Sequence, residues 1–437
     1  MPDISGRILT PSTDGRRPEP TDFRVFWFGQ ALAQLAGRSA TVALPLLAVV
    51  AFDATPGEVG LVNAAQSIPV FAATLAAGVW VDRTSRRRNL TVAHMLRAAC
   101  LIALATASLM GWSPLSLLCA AGFLLGALGA LADVAGQAFL PSLVPTDQLL
   151  RSNTRIETTT ALAQVAAPGI SGLLVNATAG VGAVWPLALG LLAAGASLRL
   201  IQAREPHPAR TAAEPGQAPR AAFRTVTHGI RFVAGNRLLR LLVVQAAWFN
   251  LFEQAVLTLY LVYGIRTLHL SSGLVGLAMT LGALGTFLGS FAVRRLQRRL
   301  GVMRSLIVSI GAASLAPIVL PLAAGPVPVT VLLCALSFVV YGFGLTVFNV
   351  FSVSIRQHAA PQALLGQVTA AFRAVAFGTI WMGAVLGGAA GQYLGLRAGL
   401  FAAVAALVAG WLVCSLLLRR CDTSAPHLTA SLAGDPQ

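Results

Sequence analysis

The sequence predicts an all-α membrane protein whose twelve transmembrane helices form two pseudosymmetric six-helix bundles. Three observations carry this. The 437 residues are 56% hydrophobic and only 11% charged, with a mean hydropathy of +0.75, whereas soluble chains are about 25% charged. Apolar runs long enough to cross a hydrocarbon core recur along the chain. Residues of the two halves match at a nearly constant offset, near 215 positions.

Taken in order, residues 1–22 are polar and Pro-rich, with no apolar h-region followed by a small-residue cleavage site, so they are expected to form a cytoplasmic tail. Six spans follow within residues 23–203, at about 25–51, 58–80, 90–111, 114–138, 154–178 and 183–203. Residues 204–236 begin Pro- and Ala-rich (REPHPARTAAEPGQAPRAAF) and end amphipathic (FRTVTHGIRFVAGNRLLRLL), which predicts a cytoplasmic linker leading into an interfacial helix. Residues 237–418 supply six more spans, at about 237–262, 273–293, 303–324, 329–353, 367–391 and 396–418, and 419–437 form a cytoplasmic C-terminal tail.

The net charge of +16 and a pI of 11.4 would suggest nucleic acid in a soluble domain. Here the arginines concentrate on alternate loops: Arg83, Arg86, Arg87 and Arg88, then Arg151, the linker, Arg294, Arg295, Arg298 and Arg299, and Arg356, against Arg266 and Arg397 on the opposite side. This is the positive-inside pattern, and it excludes nucleic acid as the partner in favour of a lipid bilayer with both termini cytoplasmic. All 31 basic residues are arginine. With no lysine, neither a Walker A loop nor a Schiff base can form, so ATP-driven transport within the chain is ruled out. The five cysteines lack CxxC or metal-type spacing and read as packing residues, so neither metal nor cofactor is expected.

The repeat pairs Gln30 with Gln245 and Arg38 with Glu253, while Pro145 and Pro361, and Gly172 and Gly388, differ by 216. Parallel copies about an axis along the membrane normal are implied. Arg38 is the only charge among the 28 residues from Val25 to Phe52, and Glu253 the only one among the 25 between Arg240 and Arg266. A lone mid-helix arginine costs about 2.5–3.5 kcal/mol on insertion scales and is too deep to snorkel, so it must face protein or water. Gln30, Gln34, Arg38 and Thr41 share one face of the first helix. Gln245, Asn250, Glu253 and Tyr260 form a corresponding stripe on the seventh. Both stripes are expected to line a cavity between the bundles, where Arg38 and Glu253 would meet. Trp27, Trp248, Phe252, Tyr260 and Tyr341 offer aromatic surface for an apolar ligand.

The segment GVWVDRTSRR resembles the loop motif of the major facilitator superfamily, with Gly78, Asp82, Arg83, Arg86 and Arg87 in register and Ser85 where the family usually has glycine. The resemblance implies a cytoplasmic charge network that latches the bundles, with Arg97 and Asp133 as further members. A merely solvated basic loop is the alternative. On helix 5, Ala163, Ala167, Pro168, Ser171 and Gly172 resemble the superfamily's antiporter motif, and Gly383, Gly387 and Gly388 are the counterpart on helix 11. Generic close packing of small residues would give the same pattern. The stretches ALPLLA, FLPSLVPTDQLLRSN and NVFSVSIRQ onward are similar to bacterial exporters of the enterobactin-exporter and macrolide-efflux type, over about Phe23 to Arg419. Gln367 and Trp381 depart from that branch, which commonly has a basic residue and a proline there.

These readings imply a secondary active exporter of a small amphipathic molecule (a drug, antibiotic, siderophore or secondary metabolite) in the cytoplasmic membrane. It would work by proton antiport with alternating access, and as a monomer, since one chain supplies both bundles. Coupling would come from making and breaking the Arg38–Glu253 pair, although a permanent pair that only fixes the bundles is a competing reading. An importer or uniporter on the same fold remains open. More remote are a non-transporting receptor and a membrane enzyme; the latter would have to act without HExxH, GxSxG or clustered histidines.

Overall fold

A computed structural model describes the backbone of residues 20–112, 115–178, 180–203 and 227–422, and their side chains apart from 71–83, 363 and 420–422. Ten helical stretches among these residues are long and apolar enough to cross a membrane. One of them, Ser272–Leu322, is 51 residues long and turns at Gly301, whose φ of 75° suits a residue without a Cβ, so it supplies two crossings. With the 28-residue helix Pro56–Arg83, the twelve expected crossings are present.

The first bundle comprises α1 (Thr21–Val50), α2 (Pro56–Arg83), α3 (Arg86–Leu109), α4 (Leu115–Phe139), α5 (Leu149–Ala177) and α6 (Val184–Ser197). Ser85 caps α3 by accepting from Arg88 N at 3.2 Å, in an extended conformation that needs no glycine, which accounts for the departure at this position. The bundle closes where Asp22 at the start of α1 accepts from Gln202 N (3.1 Å) and Ala203 N (2.7 Å) just after α6.

Residues 204–226 lie outside the described residues. The amphipathic segment is helical at 227–235 (α7) and lies under the second bundle, where a Cβ on Gly229 would sit 2.1 Å from the Gln367 carbonyl. The second bundle comprises α8 (Arg237–Arg266), α9 (Ser272–Leu315), α10 (Val319–Leu322), α11 (Val327–Ala359), α12 (Leu365–Gly378), α13 (Ile380–Tyr393) and α14 (Leu396–Asp422). The first part of α9 continues through Arg294–Arg299, so this crossing is longer than its apolar run. The span expected at 367–391 is broken at Thr379 into α12 and α13. The Ala376 carbonyl at the break accepts from Asn250 Nδ2 at 2.7 Å and Thr379 Oγ1 at 3.1 Å, as a broken helix in lipid requires.

The two bundles meet through small residues with pseudo-two-fold regularity. A Cβ on Gly60 (α2) would lie 2.6 Å from the Ala384 carbonyl of α13, and one on Gly276 (α9) 2.2 Å from the Pro168 carbonyl of α5. Both members of each correspondence are 216 residues apart. Likewise Gly172 abuts the Ser272 carbonyl, and Gly388 the Pro56 carbonyl. Hydrogen bonds reinforce the seam: Asn63 Nδ2 to Thr258 Oγ1 (3.3 Å), Gly169 N to Thr280 Oγ1 (2.8 Å) and Ser272 Oγ to the Gly172 carbonyl (3.2 Å). An ion pair, Arg266 to Asp53 at 2.6 Å, sits at the rim. These contacts cluster in the half of the molecule opposite the arginine-rich loops.

Candidate functional site

The polar residues of α1 fall on two surfaces. Gln30 is buried (8% exposed) where Gly136 of α4 makes room for its amide. One and two turns further, Gln34 and Arg38 reach a half-exposed position, and Thr41 beyond them is exposed. Gln34 Nε2 donates to Asp133 Oδ1 at 2.8 Å and Gln34 Oε1 accepts from Arg38 Nε at 3.4 Å. Arg38 Nη2 stands 4.0 Å from Asp133 Oδ2, with the two side chains 42% and 47% exposed. Behind them Arg97 is buried (8% exposed) and close enough to feel both charges. Its guanidinium occupies the space left by Gly37, where a Cβ would lie 2.1 Å from Nη2.

Arg97 and Asp133, expected as further members of the loop network, stand beside Gln34 and Arg38 within the first bundle. Asp133 has six residues of α4 after it, but the chain then makes two short 3-10 turns, Leu140–Ser142 and Thr146–Gln148, on the same side, so it lies deeper than a count along the helix suggests. Of the loop motif itself, the side chains of Gly78, Asp82 and Arg83 lie outside the described residues. Arg87 Nη2 donates to the Arg199 carbonyl at 3.1 Å, tying α3 to the end of α6, and Arg86 stands beside it at the start of α3.

Arg38 and Glu253 do not meet in this structure: no ion pair joins them. Glu253 points into its own bundle, where the Tyr341 hydroxyl of α11 donates to its carboxylate. It borders a small internal cavity, also lined by Val256, Pro317, Ser337 and Leu407, with room for roughly one water molecule. The stripe read on α8 is real, but it faces the bundle interior. Gln245 (1% exposed) and Tyr260 (0%) are buried there, so neither lines a cavity between the bundles. The side-chain amide of Gln245 has no hydrogen-bond partner among the described residues, whereas the Tyr260 hydroxyl donates to the Val275 carbonyl at 3.5 Å. A helical stripe establishes that residues share a face; it does not say which neighbour that face meets.

The aromatics divide similarly. Trp27 Nε1 donates to Thr159 Oγ1 at 2.9 Å, and the Arg155 guanidinium lies 3.8 Å over its ring, joining α1 to α5. Trp248 stacks obliquely on Phe252 at 4.8 Å and donates to the Ala406 carbonyl of α14 at 2.7 Å. Tyr341 lies parallel to Phe249 at 6.2 Å. The aromatic set is thus spread over several helix contacts, and Asn250 is engaged at the α12–α13 break.

The small residues of α5 and α13 fit two neighbours each. Ala163 and Ala167 are buried on α5, and Ser171 Oγ donates to the Ser39 carbonyl of α1 at 2.8 Å. Pro168 and Gly172 face α9 across the seam. Gly383 and Gly387 abut Leu251 and Ala255 of α8, while Gly388 faces α2. The partners Thr280 and Asn63 carried no signal in the sequence, because an isolated Thr or Asn in an apolar helix has no distinguishing pattern.

The family model for the Major Facilitator Superfamily matches residues 26–383. Among curated proteins, the chain is 29% identical over 407 residues to the multidrug efflux pump Tap of Mycobacterium tuberculosis, covering 88% of this chain and 91% of that protein. Among solved structures it is similar to a bacterial homologue of the iron transporter ferroportin. The inward-facing state matches with a TM-score of 0.67 at 16% identity, covering 91% of this chain and 98% of that one. The outward-facing state matches with a TM-score of 0.55 at 18% identity, covering 92% and 99%. At these identities the likeness is one of fold.

Proposed function

The chain belongs to the major facilitator superfamily, a family of secondary transporters rather than enzymes, and from that premise we propose that it exports small amphipathic molecules by proton antiport. The observation that carries this reading is the pairing of a sealed seam at one end with a half-exposed polar cluster, Gln34, Arg38 and Asp133, deep inside the first bundle. The arginine-rich end is cytoplasmic by the positive-inside rule, so the molecule stands open to the cytoplasm in the cytoplasmic membrane, with both termini inside. The better match to an inward-facing than to an outward-facing neighbour agrees with this. The 29% identity to an efflux pump supports export, as does the antiporter-like α5, and a drug, antibiotic or siderophore of the enterobactin-exporter or macrolide-efflux kind fits that direction.

Substrate enters between the bundles and contacts Gln34, Arg38 and Thr41. Glu253 carries the proton in the second bundle, where its carboxylate accepts from the Tyr341 hydroxyl. Rocking of the bundles then breaks the glycine seam and exposes the site to the outside, the rigid-body alternation expected of parallel six-helix repeats. One chain completes this cycle as a monomer. The test is a susceptibility panel of antibiotics and siderophores in a drug-sensitive bacterial host with and without the gene, followed by substrate flux in everted vesicles. Raised resistance with ATP-independent, pH-gradient-driven accumulation in everted vesicles is expected. Sensitisation of the host, with accumulation only in right-side-out vesicles, would overturn export.

A further inference from the structure

Resting on the transport reading, we propose that the Gln34–Arg38–Asp133–Arg97 cluster recognises a single anionic group, a carboxylate, sulfonate or phosphate, on an amphipathic molecule. Among the described residues its charges are two guanidinium groups and one carboxylate. Asp133 is shared: one oxygen accepts from Gln34 at 2.8 Å, and the other is 4.0 Å from Arg38, beyond the roughly 2.7–2.9 Å of a formed charge-assisted hydrogen bond. Arg38 spends only its Nε on Gln34, at 3.4 Å. Its two terminal nitrogens make no hydrogen bond among the described residues, and the side chain is 42% exposed. The fork that takes an oxyanion with two parallel hydrogen bonds is therefore uncommitted and partly exposed.

Arg97 supplies the excess charge. It is 8% exposed, and among the described residues its Nε has no hydrogen-bond partner and no carboxylate forms an ion pair with it within 4.0 Å. Gly37 and Gly129 leave the space it fills. An arginine held this deep is costly unless its charge is compensated. Glu253 does not compensate it, since it lies in the other bundle on Tyr341. Nearer the mouth, α5 adds one charge of each sign, Arg155 and Glu157. The cluster thus carries one positive charge in excess, which an arriving anion would balance at Arg38.

The experiment uses the full chain in phosphatidylcholine nanodiscs and three probes with one fluorophore: dansylglycine, its methyl ester and dansylcadaverine, each corrected against empty nanodiscs. The acid is expected to bind about tenfold more tightly than the ester, the effect of one charge-assisted hydrogen bond, and the cation more weakly still. Arg38→Gln should erase the preference, Arg38→Lys should keep part of it, and Asp133→Asn should strengthen it. Equal binding of acid and ester by the unaltered protein, or tighter binding of the cation, overturns the proposal without needing any variant. In phosphatidylglycerol nanodiscs, competition by the headgroup would keep the anion site and make lipid its occupant, while undiminished binding would assign it to the transported molecule. Equilibrium binding is independent of direction, so acid preference with no flux in everted vesicles would sink the exporter reading alone. Pumping with no acid preference would sink this proposal alone.

Discussion

Tyr341 donates its hydroxyl to the Glu253 carboxylate across the second bundle, and Arg38 takes no part in that contact. On the proposed antiport, proton coupling would belong to a site separate from the polar cluster of α1. Glu253→Gln should reduce pH-gradient-driven transport in proteoliposomes tenfold or more, about 1.4 kcal/mol of barrier or beyond, while substrate exchange without a gradient persists. Tyr341→Phe keeps the carboxyl and should lose less. Unchanged gradient-driven transport in Glu253→Gln would remove Glu253 from the coupling path.

The seam between the bundles predicts which substitutions act on conformation. In Gly276→Ala the new Cβ would meet the Pro168 carbonyl at 2.2 Å, and in Gly60→Ala the Ala384 carbonyl at 2.6 Å; both obstacles are backbone. Overpacking of this kind costs about 1–3 kcal/mol, and it falls only on the state closed at this end. Both variants should favour the outward-open form, Gly276→Ala more strongly, as read by solvent accessibility of the substrate cavity from outside. Gly366→Ala, with nothing within 4 Å, is the control and should change neither state.

The small residues of α5 and α13 were legible in the sequence because they depend on spacing. The 216-residue offset linking Gly172 to Gly388 follows from duplication, and duplicated small residues meet equivalent partners whatever the details of the side chains. The span count was legible for a similar reason, since hydropathy is summed over many residues. The Arg38–Glu253 meeting was misread because repeat equivalence gives two residues matching depth and facing without saying whether that face meets the other bundle or its own. Each residue instead meets the fourth span of its own bundle, Arg38 at Asp133 on α4 and Glu253 at Tyr341 on α11. The contact of Asp133 with Gln34 was not legible because depth counted along one helix does not say which neighbouring helix a side chain meets.

Asn250 is a structural donor at the α12–α13 break. Its Nδ2 reaches the Ala376 carbonyl at 2.7 Å, beside Thr379 Oγ1 at 3.1 Å. Asn250→Ala and Thr379→Val should each lower stability in detergent by about 1 kcal/mol. The double variant should lose more than their sum, because only then is the carbonyl left with neither donor. Additive losses would mean that the two groups do not share this acceptor in solution.

The rim ion pair should control state occupancy with little effect on overall stability. Arg266 Nη2 lies 2.6 Å from Asp53 Oδ1 and 3.0 Å from the Ala54 carbonyl, but the Asp53 side chain is 96% exposed, so water competes for the pair. Exposed pairs contribute little to folding, and thermal unfolding of Arg266→Gln should be close to that of the unaltered chain. The pair nevertheless exists only while the two outer loops touch, so its loss weights one end-state alone. The outward-open to inward-open ratio should rise roughly two- to fivefold. Spin labels at Thr55 and Leu268, in a background with the native cysteines replaced, should report a larger long-distance population. Raising the ionic strength from about 0.1 M to 1 M shortens the screening length from about 10 Å to 3 Å, so salt should move the unaltered chain in the same direction and leave Arg266→Gln nearly unmoved. A distance distribution indifferent to both the substitution and salt would show that the glycine seam alone holds this end closed.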